Sequence, residues 1–126
     1  MNMEERQEGE VLVLKPLFKR LDAYTSASFK GWVVDRIIGG AKRIVLNLER
    51  VDFIDSTGLG ALISLLKTIG DRDDFVLCGV RMPVTSLFRV TRMDRVFGIH
   101  ESEEEALRAI SERAKEAQIT DRHSHG

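Results

Sequence analysis

A serine, an aspartate and two glycines stand together in the middle of the chain, in the run Asp55-Ser56-Thr57-Gly58-Leu59-Gly60. An apolar strand is predicted to end just before this run, and an amphipathic helix is predicted to begin at about Thr57. The first N–H groups of a helix have no partner inside it and point toward any acceptor placed there. A serine at such a corner could cap the helix, act as a nucleophile or carry a phosphoryl group.

The simplest role for this corner is helix capping. Either Ser56 or Asp55 could serve as the cap, which would stabilise the helix by about 1 kcal/mol. Gly58 and Gly60 indicate a further constraint, because each glycine disfavours a helical first turn by roughly 1 kcal/mol. Two glycines on either side of Leu59 suggest that the backbone approaches another group closely. That group is either a neighbouring strand or a partner protein, and the spacing does not decide between them.

The enzyme sites that use serine or glycine in this way do not match the sequence. A phosphate-binding loop requires a longer glycine loop that ends in Gly-Lys-Ser/Thr, and the chain has none. A nucleophile elbow requires glycine two residues before the serine, where Ile54 stands. The candidate bases are His100, His123 and His125, and the last two lie in the C-terminal tail without the cysteines or acids of a metal site. We therefore expect no catalytic site, no cofactor and no metal.

Composition narrows the possible partners and the compartment. The 126 residues fit one domain, and a net charge of −1 gives no general reason to expect binding to nucleic acid or to an anionic membrane. The single cysteine, Cys78, lies in an apolar run and is expected to be a buried thiol, which suits a reducing cytosol. No run approaches the ~20 apolar residues of a membrane span. We expect a cytoplasmic protein without membrane insertion.

Helices alternate with apolar strands along the chain. The predicted strands are Val11–Leu14, Ile44–Leu48, Phe75–Val80 and Val96–Ile99, and the predicted helices are Thr25–Ile38, Thr57–Ile69, one from Met82 and one after Ser102. This order predicts an α/β fold with a small, mostly parallel or mixed sheet of about four or five strands and about four helices packed against it. Residues 1–9 are expected to be a disordered lead, residues 10–114 the folded domain and residues 115–126 a polar, mobile tail.

The predicted second helix, Thr57–Ile69, carries one apolar stripe. The residues of that stripe are Leu59, Leu62, Ile63, Leu66 and Ile69. Their helical spacing predicts that they face the core. The opposite face, which includes Ala61, is predicted to point away from the core.

The apolar run Ile44–Leu48, followed by Val51–Gly60, resembles the signature of the STAS domain family. Within that family it is most similar to the bacterial anti-sigma factor antagonists. The resemblance extends over about residues 10–112, and it includes the segment Leu21–Thr25 and the helix start at Ser102. It implies that the predicted domain is a STAS-like one, with a small sheet and helices packed against it.

The resemblance also implies a function. Antagonists of this family bind, when unphosphorylated, an anti-sigma factor that is also a serine kinase, and this frees the sigma factor. The kinase then phosphorylates a serine at the start of the second helix, and a serine phosphatase reverses the modification. Ser56 matches that serine, and Asp22 matches an aspartate that contacts the partner. The partner-binding residues expected on this basis are Asp22, Asp55, Ser56, Thr57, Gly58, Leu59 and Gly60.

Two segments depart from the family pattern. Lys19 and Arg20 stand where a glycine is usual before the Leu-Asp pair, and a Thr-Gly-Leu after the third helix reads Thr91-Arg92-Met93. These departures bear on the identity of the partner more than on the fold. The alternative function is a STAS scaffold subunit of a membrane transport or lipid-trafficking complex. A weaker possibility is nucleotide binding or hydrolysis by the isolated domain.

Overall fold

The computed structural model describes residues 1–125, with side chains through Ala117. The strands are β1 (Met3–Glu8), β2 (Val11–Pro16), β3 (Arg20–Leu21), β4 (Ile44–Asn47), β5 (Phe53–Ile54), β6 (Phe75–Cys78) and β7 (Gly98–His100). The helices are α1 (Ser26–Ile38), α2 (Ser56–Ile69), α3 (Met82–Val90) and α4 (Glu103–His125), with a short 3-10 turn at Met93–Arg95. None of the helices in this part of the chain combines the length and the apolar composition needed to cross a membrane.

Five of the strands form one mixed sheet in the order β1-β2-β4-β6-β7. Strands β2, β4, β6 and β7 are parallel, while β1 runs antiparallel to β2. Parallel neighbours require a crossover connection, which the alternating helices supply. The predicted α/β fold, a mixed sheet with four helices packed against it, is confirmed.

Helices cover both faces of this sheet. Alternate strand residues such as Leu14, Leu46 and Leu77 join the core beneath α1, α2 and α3. The residues between them, including Val45 and Cys78, pack against Ala106 and Ile110 of α4. Because both faces are covered, the central strands are apolar without alternation. Cys78 is fully buried as expected, and burial raises the pKa of its thiol to about 12.

The expected disordered lead, residues 1–9, is wrong. Met3–Glu8 forms β1, which pairs with the whole of β2 from Met3↔Pro16 to Glu8↔Val11. Ion pairs join its side chains to the helices, including Arg36–Glu5 at 3.1 Å. All of its residues except Met3 are exposed, so the strand has no apolar alternation to mark it in the sequence. Charged side chains of this kind are typical of an edge strand.

The C-terminal boundary also differs from the expectation. Residue 115, where the tail was predicted to start, lies inside α4, and the helix continues to His125. The side chains after Ala117, which include His123 and His125, and all of Gly126 lie outside the described residues.

The face of α2 that enters the core is rotated from the predicted one. Leu62 is buried as expected, but the other members of the predicted stripe are only half-buried. Gly58, Ala61 and Leu65 are buried instead. The absence of a side chain at Gly58 lets the start of α2 lie close to Leu21 of β3.

A second, two-stranded sheet positions the start of α2. β3 pairs in parallel with β5, so Leu21 lies opposite Ile54. β3 leads into α1 and β5 leads into α2. The N-terminal ends of α1 and α2 are therefore neighbours, and they meet at the residues singled out from the sequence.

Candidate functional site

Asp55 is the cap of α2. Its backbone is extended, and its Oδ1 accepts a hydrogen bond from the N–H of Gly58 at 2.9 Å. Ser56 is thus the first residue of the helix and does not serve as its cap. The sequence left the cap open between these two residues, and the geometry assigns it to the aspartate.

The second oxygen of Asp55 reaches the segment that precedes α1. Oδ2 accepts a hydrogen bond from the N–H of Ala23 at 3.2 Å, and the N–H of Asp55 donates to the carbonyl oxygen of Leu21 at 3.2 Å. One carboxylate therefore holds two helix starts together. A side chain with a single acceptor atom could not make both contacts.

Asp22 organises the turn into α1. It is only 8% exposed, and its Oδ1 accepts hydrogen bonds from the N–H groups of Tyr24 (2.9 Å) and Thr25 (3.3 Å). Its Oδ2 accepts a hydrogen bond from Nε of Arg20 at 3.2 Å. Burial alone would raise the pKa of Asp22, but these hydrogen bonds outweigh burial and hold its pKa below the usual value. The charged carboxylate is thus a fixed part of the turn.

The two glycines of the motif have different surroundings. A Cβ on Gly58 would lie 2.1 Å from the carbonyl oxygen of Leu21, which no side chain can tolerate. A Cβ on Gly60 would meet nothing within 4 Å. Close approach to a neighbouring strand therefore explains Gly58. Internal packing gives no reason for Gly60, which is exposed on α2.

Several neighbouring side chains face outward at this corner. Ser56 and Thr57 are exposed and Leu59 is half-buried. The hydroxyl of Ser56 makes no hydrogen bond to any side chain or backbone group in residues 1–117. Tyr24 is 94% exposed on the adjoining turn, and Phe53 is 38% exposed on β5. Aromatic residues such as these are enriched in protein-binding surfaces.

The expected residues therefore fall into two groups. Asp22, Asp55 and Gly58 are engaged inside the domain and shape the surface. Ser56, Thr57, Leu59 and Gly60 lie on that surface, wholly or in part. Sequence reasoning missed the aromatic residues Tyr24 and Phe53, although Tyr24 lies in the segment that resembles the family.

No side chain in residues 1–117 hydrogen-bonds the hydroxyl of Ser56 and could act as its base. His100 belongs to β7, in the main sheet. Throughout the residues that the structure describes, no group of three His, Cys, Asp or Glu side chains is placed to hold a metal ion. What the corner offers is an accessible hydroxyl at the positive end of a helix dipole.

Known proteins are similar to this chain in sequence and fold. The profile of the STAS domain family matches residues 2–106. A protein of Thermotoga neapolitana, provisionally named an anti-sigma factor antagonist, is 31% identical over 106 residues, which cover 82% of this chain and 93% of the relative. The anti-sigma-B factor antagonist of Staphylococcus aureus is 31% identical over 85 residues, covering 67% of this chain and 79% of the relative.

The structural comparison gives the same result. The crystal structure of a Thermotoga maritima protein with the same provisional designation superposes with a TM-score of 0.80 at 29% identity. The match covers 86% of this chain and 94% of that protein. The matched region of the sequence includes β1, the site and the first turn of α4. The chain belongs to the STAS domain family, and its relatives include anti-sigma factor antagonists.

Proposed function

We propose that the chain is an anti-sigma factor antagonist that acts by phosphorylation-controlled partner switching in the cytoplasm. With Ser56 unphosphorylated, it binds an anti-sigma factor that is also a serine kinase. This binding releases a sigma factor. Phosphorylation of Ser56 ends that binding, and a serine phosphatase restores it. The names of the relatives support the class of protein, and the site supports the choice of residue.

The observation that carries this proposal is the free, exposed hydroxyl of Ser56. Around it, Asp55 caps the helix and Gly58 lies against Leu21, whereas Thr57 is exposed like Ser56 itself. Ser56 can therefore enter a kinase active site without breaking a bond of the fold. Among residues 1–117, no side chain contacts the hydroxyl of Ser56 as a base, which fits a role as phosphoacceptor better than a role as nucleophile.

A phosphate at this position suits the domain but not an interface built around a neutral hydroxyl. It adds about −1.5 to −2 charges at pH 7. The N-terminal N–H groups and the dipole of α2 favour an anion there. The same charge would be desolvated against a partner, close to the carboxylate of Asp55, which disfavours binding. Phosphorylation thus changes binding while the fold stays nearly unchanged.

The proposed contact surface follows from exposure. Ser56, Thr57 and Gly60 meet the partner directly, and Leu59 contributes its exposed part. Asp22 and Asp55 act mainly by fixing the two helix starts that present this surface. Gly60 leaves room for the partner's backbone, which accounts for a glycine that internal packing does not require.

A phosphotransfer assay tests the choice of residue. The purified protein is incubated with ATP and the anti-sigma factor kinase of the same organism, and the masses of the products are measured by mass spectrometry. Wild type and Thr57→Ala, which removes the adjacent exposed hydroxyl, should each gain one phosphate, whereas Ser56→Ala should gain none. Equal labelling of Ser56→Ala would refute the assignment. In a separate pull-down, capture of a permease or transport ATPase in place of a kinase would favour the scaffold alternative.

A further inference from the structure

Arg20 places a positively charged guanidinium at the edge of the candidate site. Its Cζ lies 4.0 Å from the centroid of the Phe53 ring, and its Nε donates to Oδ2 of Asp22 at 3.2 Å. The side chain is nonetheless 59% exposed. Phe53 and Asp22 thus position the guanidinium, but its exposure leaves it free to move.

We propose that Arg20 is the intramolecular partner of the phosphate on Ser56. On phosphorylation, its guanidinium leaves Oδ2 of Asp22 and pairs with the phosphate oxygens. This inference rests on the proposed modification of Ser56 and adds the residue that receives the new charge.

The register of the small sheet brings the two groups within reach. Arg20 lies opposite Phe53 in the parallel pair β3–β5. Neighbouring strands are about 4.8 Å apart, and the three residues from Phe53 to Ser56 span at most about 11 Å. A long arginine side chain and a phosphoserine can cover that distance between them. Arg20, Phe53 and Ser56 are all exposed, so no buried group has to move.

The buried carboxylate of Asp22 keeps hydrogen-bond partners when Arg20 moves to the phosphate. Asp22 keeps the hydrogen bonds from the N–H groups of Tyr24 and Thr25 when Arg20 departs. Ion pairs of largely exposed arginines are weak. A phosphate dianion attracts a guanidinium more strongly than one carboxylate does, and its oxygens match the planar fork of N–H donors.

Other charged groups at this corner are less suited to the role. Both oxygens of Asp55 accept backbone N–H groups, so its negative charge stays fixed beside Ser56. Asp22 adds a second fixed negative charge. Lys19 precedes β3 and is exposed, but it lacks the planar fork. Of these two cations, Arg20 is the better suited to offset the two carboxylates around a phosphate.

A phosphorus NMR titration tests this pairing. Phosphoserine is introduced genetically at position 56, so that no kinase is needed, and the titration midpoint of the phosphate is measured. The second pKa of phosphoserine is ordinarily about 6. A paired guanidinium favours the dianion, so the midpoint in the otherwise wild-type protein should lie below that of the Arg20→Gln variant by about half a pH unit. Arg20→Lys should restore part of the difference.

Arg108→Gln is the matched control. Arg108 is also exposed, at 64%, and pairs with Glu104 on α4, which covers the other face of the main sheet. Its midpoint should equal that of wild type, and circular dichroism should show that each variant is folded. An Arg20→Gln midpoint equal to that of wild type would overturn the pairing. Failure of the kinase to label Ser56 would refute the proposed function but leave this titration unaffected, so the two outcomes are distinguishable.

Discussion

The carboxylate of Asp55 binds the N–H of Ala23 at 3.2 Å across a sequence separation of 32 residues. Its other oxygen caps α2, so one side chain sets the position of α2 against the turn that begins α1. The candidate surface is therefore built from two segments that are far apart in the sequence. The geometry of that surface depends on Asp55, whether or not Asp55 is itself exposed there.

Replacing Asp55 should weaken the fold as well as the surface. Asp55→Ala removes a helix cap and the bond to Ala23, and we expect a loss of about 1–2 kcal/mol in the free energy of unfolding. Asp55→Asn keeps one side-chain acceptor and should lose less. Urea unfolding followed by circular dichroism measures both. The control is Asp52→Ala, which removes an exposed carboxylate; an equal loss in that variant would contradict the role of Asp55.

The two glycines of α2 should respond in opposite ways to the same substitution. Gly58→Ala forces a methyl group against the carbonyl oxygen of Leu21, and we expect a loss of stability of about 3 kcal/mol. Gly60→Ala meets open space inside a helix, and we expect a gain of about 0.5–1 kcal/mol. Chemical denaturation of both variants checks this order. Similar unfolding midpoints for the two would show that Gly58 is not in close contact with β3.

The Gly60 variant also separates folding from binding. If Gly60 leaves room for a partner, Gly60→Ala should weaken binding to the anti-sigma factor although it stabilises the chain. Calorimetric titration measures that affinity. Unchanged affinity would remove Gly60 from the contact surface.

The charge of Asp22 should contribute to stability in a pH-dependent way. Its pKa is lowered in the folded protein, so its contribution is present above the unfolded value of about 3.9 and is lost as the pH falls through the folded value. The stability difference between wild type and Asp22→Asn should therefore be largest near pH 7 and shrink below about pH 4. Urea midpoints across this range test the sign. A difference that grows on acidification would contradict it.

Much of the architecture could be predicted from local pattern. The apolar run Ile44–Leu48 indicated a strand covered on both faces, and the alternation of helices and strands indicated a parallel sheet. The position of Ser56 at a helix start followed from the change of pattern after Ile54. Each of these features depends on residues that are neighbours in the sequence.

What could not be predicted depends on distant contacts. β1 is recognisable only through its pairing with β2, because its own side chains are charged and exposed. The need for Gly58 arises from the carbonyl oxygen of Leu21, which no spacing within α2 reveals. The buried face of α2 also includes Ala61 and Leu65, which lie outside the stripe expected from helical spacing. Hydrophobic periodicity limits which strands and helix faces are possible, but tertiary contacts determine which of them form.

The most direct measurement is the affinity of the anti-sigma factor kinase for the chain in its two states. Isothermal titration compares unmodified protein with protein that carries genetically encoded phosphoserine at position 56, and phosphoserine at the exposed Ser86 of α3 serves as the control. We predict binding at least about 100-fold weaker, or about 2.7 kcal/mol, for phosphoserine at position 56 alone. Equal affinity for the unmodified and position-56 forms would contradict phosphorylation-controlled partner switching.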